Sequence, residues 1–182
     1  MKSKIISLLA AAVACAVSAA PVHAKGIACD GFIQTFTTSL GDLSVSFSRA
    51  LVVHSGQGGN KGVESYVVVG SQEVDATLDC KGNEMVRFEA RVATPAKARL
   101  LDQYQRYLTA SLQSAFNWDP TKAQSVLKPL EQDVAEYLRA SIERGDVYNA
   151  GRDEVHPGGG MIVGMFWTPT DRSFVISAPG AD

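Results

Sequence analysis

Cysteine and histidine are scarce in this chain, and with them most routes to catalysis: its 182 residues hold three of each. No Cys-x-x-Cys occurs, so a thioredoxin-like redox pair is excluded. There is no Gly-Lys-Ser/Thr and no strand-GxGxxG-helix context, so neither a Walker loop nor a dinucleotide fingerprint is present. The Gly-x-Ser-x-Gly elbow of α/β-hydrolases is missing too. Basic residues form no stripe, and 17 Lys and Arg stand against 19 Asp and Glu, a net charge of −2. That balance excludes the electrostatic footprint of a nucleic-acid binder. Beyond residue 24 no apolar run is long enough to span a bilayer as a helix.

What is present begins with an export signature. Met1-Lys2-Ser3-Lys4 is short and positive, Ile5 to Val17 is apolar apart from Ser7, and Ser18 to Ala24 turns small. This is the three-part layout of a secretory signal, with Val22 and Ala24 fitting the small-residue cleavage pattern. Residues 1–24 are therefore expected to be removed, and residues 25–182 to form one α+β domain. The alanine-rich core points to a bacterial signal, and so to the periplasm or the medium. The alternative is a lipid on Cys15, after the small residues Ala12-Val13-Ala14, which would anchor the chain; the usual leucine three residues upstream is missing.

Cleavage leaves 158 residues, enough to bury about 68–70% of the unfolded surface. Losing Lys2 and Lys4 leaves 15 basic residues against 19 acidic, a net charge near −4. Two cysteines remain, Cys29 and Cys80. In an oxidising compartment an isolated pair is most simply a disulfide. It would close a loop of about 50 residues, contribute about 4 kcal/mol in the chain-entropy model, and tie the N-terminal segment to the sheet.

The first half reads as strands. Phe32 to Thr38 mixes aromatic and β-branched residues, and Ser39 to Asp42 is a turn candidate. Leu43, Val45 and Phe47 alternate with serines, Arg49 interrupts the apolar face, and Leu51 and Val53 resume it. Arg49 marks a bulge or reaches a carboxylate, the bulge being the expected device in a strand this long. His54 to Gly62 is a glycine-rich loop, and Ser65 to Val69 a compact strand. Val74, Ala76, Leu78 and Cys80 alternate up to the turn at Lys81-Gly82-Asn83, and Val86, Phe88, Ala90 and Val92 alternate after it. These two runs predict a hairpin with Asp75 and Asp79 facing Arg87 and Arg91.

Thr94-Pro95 is a helix start signal, and apolar spacing predicts an amphipathic helix from Pro95 to Phe116. Asp119-Pro120 repeats the signal for a second helix that ends at Arg144-Gly145, with Pro129 expected to kink or break it. The short joint Asn117-Trp118-Asp119 predicts an antiparallel helical hairpin. Asp146 to Gly160 reads as a polar loop. Met161 to Trp167 and Ser173 to Ala178 form a last hairpin, expected inside the sheet because its apolar strand wants cover on both faces. Together these predict an α+β fold: an antiparallel sheet of about seven strands with an antiparallel helical hairpin packed on one face.

Chemistry has two places to sit. His54-Ser-Gly and His156-Pro-Gly each set a histidine before glycines, whose backbone N–H groups suit anions. His54, Asp153, Glu154 and His156 make a candidate ligand loop, although a loop so rich in glycine gives metal ligands little support. No metal or other cofactor is expected. Tyr104, Tyr107, Trp118 and Tyr137 form a candidate partner surface around the helical hairpin. The sequence therefore leads to an exported, non-catalytic binding or accessory protein of the cell envelope, engaging another protein through a sheet edge or the helical hairpin. The alternative is a small metal-dependent or hydrolytic enzyme using His54 and His156, with Asp153 or Glu154 as a third group.

Overall fold

Phe32, Phe36 and Leu40 recur every fourth residue, and in the computed structural model they line the buried side of a helix, α1 (Cys29–Ser39), and its C-cap. The structure describes residues 26–50, 62–70, 73–146, 150–158 and 160–179. The strand expected over Phe32 to Thr38 is thus a helix. Aromatic and β-branched composition suggests a strand, but a period of two would bury Gln34 and Thr38 beside the phenylalanines, whereas a period of 3.6 leaves both exposed.

A short 3₁₀ turn, Gly41–Leu43, leads into β1 (Ser46–Arg49), which pairs with β2 (Val63–Val69) in unbroken antiparallel register. No bulge occurs at Arg49; its guanidinium reaches Glu64 at 2.6 Å. Leu51 and Val53 lie outside the described residues. The hairpin of β3 (Asp75–Lys81) and β4 (Glu84–Ala93) forms as its alternation predicts, closed by Gly82 at φ 61°. Asp75 stands opposite Arg91 and Asp79 opposite Arg87. The ion pairs nevertheless go elsewhere: Arg87 to Glu89 at 2.9 Å and Arg91 to Asp171 at 2.8 Å. Long guanidinium arms reach along a strand to Glu89 and diagonally across to Asp171 rather than straight across.

The N-terminal segment is pinned to this hairpin. Cys29 is bonded to Cys80, the Cys29 amide donates to the Asn83 carbonyl at 2.9 Å, and the Met85 amide donates to the Ile27 carbonyl at 2.7 Å.

Thr94-Pro95 is a cis peptide and starts no helix; the Thr94 hydroxyl donates to the Pro169 carbonyl. The helix α2 begins three residues later (Ala98–Phe116). The helix α3 (Pro120–Arg144) has the expected ends: the Asp119 carboxylate accepts from the Lys122 amide at 2.8 Å, and Gly145 sits at φ 70° in the C′ place. It runs through Pro129 without a break. Between the two helices, Gln124 donates to the Thr109 hydroxyl at 2.6 Å and Gln105 donates to Glu131.

The polar stretch expected as a loop contains a strand instead, β5 (Gly151–Gly158), paired with β6 (Met161–Trp167). The strand β7 (Asp171–Ser177) then inserts between β6 and β4. The sheet order is β1-β2-β3-β4-β7-β6-β5, antiparallel throughout. Seven strands result among the described residues, as expected, although one expected strand became α1 and β5 replaced it. The β6–β7 hairpin is internal, but among the described residues only one of its faces carries a continuous buried row. Leu78, Phe88, Ile176 and Val163 form a cross-strand row that is fully buried. Phe88 on that face meets Phe32 and Phe36 of α1, and Gly151 on it meets α3. Phe166 on the opposite face is 42% exposed.

Candidate functional site

The candidate ligand residues divide between the two faces of an edge strand. Register sets Asp153 opposite Met165, whose face is buried, and Glu154 opposite Gly164 on the open face. Adjacent carboxylates in a strand point apart, so the two do not converge. The His156 ring stands 3.5 Å from a Glu154 oxygen. His54 lies outside the described residues. Among the described residues no three His, Cys, Asp or Glu side chains gather as a metal would need. Cys29 and Cys80 are consumed by the disulfide.

The candidate partner surface divides as well. Tyr104 and Tyr107 are 1% and 0% exposed, so neither can touch a partner. Tyr107 packs edge-on to Phe36 at 5.4 Å, under the helix that had been expected to be a strand. Burial pushes the Tyr104 hydroxyl far above its ordinary pKa. Tyr104 Oη and Trp167 Nε1 are buried without a hydrogen-bond partner among the described residues, and the Arg172 guanidinium lies 4.3 Å above the Trp167 ring. Glu131, held by Gln105, has its carboxyl raised by burial. Tyr137 is exposed on α3.

Trp118 remains, and the fold brings it to His156. The two line one groove of about 390 Å³ between the start of α3 and β5, with Lys122, Val126, Pro129 and Val155. Trp118 is half-buried and stacks on Phe116 at 4.7 Å, while the Lys122 ammonium lies 5.6 Å from its ring centroid. The walls are apolar, and the rim carries an ammonium and an imidazole. Such a groove offers shape and charge for binding. Lys122 and Pro129 can be seen in the sequence only as parts of helix α3; their convergence with Val155 depends on β5, which alternation does not reveal.

Compared with known protein families, curated proteins and solved structures, the chain matches none. No helix among the described residues is long and apolar enough to cross a membrane.

Proposed function

We propose that this chain is an exported, non-catalytic binding or accessory protein of the cell envelope, engaging another protein through the groove between α3 and β5. Export is supported by the three-part layout of residues 1–24 and by the Cys29–Cys80 bond, which suits an oxidising compartment. The observation that carries the binding role is the meeting of Trp118, Lys122 and His156 in one apolar groove. Aromatic and aliphatic walls with a cationic rim suit an extended peptide segment that buries an apolar side chain and presents a carboxylate to Lys122. Both sheet edges are guarded against strand addition. Among the described residues the strand β1 is four residues long, and β5 carries Arg152, Glu154, His156 and Pro157. The groove, rather than an edge, therefore takes the partner.

Peptide-display selection against the purified protein tests this. Enriched peptides should combine an apolar anchor with an acidic residue. Their affinity should fall about tenfold or more in Trp118→Ala and in Lys122→Glu. No enrichment, or equal binding by both variants, would count against the groove. Intact mass on material from an exporting host tests the compartment: loss of residues 1–24 is expected, and a retained leader would remove the case for export.

A further inference from the structure

The open face of the sheet has a pattern that the groove does not use. Along it, two neighbouring cross-strand rows alternate in kind. One row runs Arg91, Ser173, Phe166, Arg152, and the next runs Glu89, Val175, Gly164, Glu154. Phe166 is a knob, 42% exposed. Gly164, two residues before it on the same face, leaves a hollow: a Cβ there would meet nothing nearer than 3.8 Å. A glycine inside a strand forfeits packing and marks a place where another group approaches closely. The hollow is bordered by Ile162, Phe166 and Val175 and rimmed by Arg152 and Glu154.

We propose that this face is a homodimer interface, with a second copy of the chain packed face to face so that Phe166 of each copy fills the Gly164 hollow of the other. A two-fold axis running between the rows, parallel to them, lays each row over the neighbouring row of the other copy. That one operation puts Phe166 over Gly164, Arg152 over Glu154 and Arg91 over Glu89, and each pairing occurs twice, as an isologous interface requires. Arg152 and Glu154 already lie 3.6 Å apart within one copy, so the dimer closes an alternating ring of four charges. Because sheets twist, contact centres on the four strands that carry the two rows; about 4.8 Å apart and about eight residues long, they span roughly 500 Å² of each copy, the size of a weak, concentration-dependent interface. The groove meets this interface only at His156, whose ring lies 3.5 Å from Glu154.

Sedimentation equilibrium on the purified protein tests the proposal. The wild type should weigh as two chains at roughly 100 µM, the range where weak interfaces assemble. Arg152→Glu stacks like charges and should weaken association about tenfold or more, and the double swap Arg152→Glu with Glu154→Arg should restore it. Gly164→Leu fills the hollow without touching the monomer core and should also give monomers, whose melting temperature no longer depends on protein concentration. A monomeric wild type, or a dimer indifferent to both Arg152→Glu and Gly164→Leu, overturns the proposal.

Discussion

Glu131 is a carboxylate that the fold leaves partly dehydrated. Burial raises its carboxyl above the ordinary value, and the hydrogen bond from Gln105 offsets this only in part. The folded chain therefore holds that proton more tightly than the unfolded chain does. Its contribution to stability is favourable at low pH and is lost as pH rises from the ordinary carboxylate value through the raised folded one. Glu131→Gln, which keeps an acceptor for Gln105, should be more stable than wild type at neutral pH, with the gap closing on acidification. Urea midpoints of both proteins across that range check it, and a gap that stays constant would exclude a titrating cause. Other residues were legible or hidden for equally local reasons. Asp119 and Gly145 could be placed at the ends of α3 because capping is chemistry between near neighbours. Arg49 could not be decided between bulge and ion pair, because Glu64 lies on the neighbouring strand, 15 residues away. Tyr104 and Tyr107 looked available as a surface because nothing in α2 itself says that α1 covers Tyr107.

Among elements, α3 rests directly on the backbone of β5 at Gly151. A Cβ on Gly151 would stand 2.1 Å from the Val134 carbonyl oxygen and 2.6 Å from the Leu138 amide nitrogen, both of them helix backbone. Neither can yield without moving α3. Gly151→Ala should therefore cost about 1–3 kcal/mol, the usual range for overpacking, read as a drop in urea midpoint at unchanged slope. Stability within error of wild type would mean that the helix and strand separate more easily than their spacing implies. This contact also explains why β5 escapes detection from sequence. Its residues are polar and do not alternate because it is an edge strand, so its identity comes from pairing with β6 and from a helix resting on a glycine. The strands β3 and β4 carry their own evidence in apolar residues at every second position, and β6 and β7 in short apolar runs bounded by turns. The helix α1 carried its evidence too, in the four-residue spacing of Phe32, Phe36 and Leu40, but composition pointed the other way.

Across the molecule, the Cys29–Cys80 bond joins α1 to the end of β3 over a separation of 51 residues. Breaking it with a paired Cys29→Ser and Cys80→Ser change should cost about 4 kcal/mol through the freed unfolded chain. Urea unfolding of the double variant measures this, and a loss well under 1 kcal/mol would show that the backbone hydrogen bonds from Cys29 and Met85 hold the segment unaided. The candidate site was the least legible feature at this scale. Trp118 and His156 could each be singled out, but they fell into separate hypotheses, because only the return of the chain through β5 brings them together. The strand order has a consequence for the growing chain. Since β7 separates β4 from β6, a polypeptide synthesised only as far as Thr170 holds two sheet fragments with no seam between them. Phe88 and Val163 then lack Ile176, the residue that joins their buried rows. The full sheet can close only once the seventh strand is made.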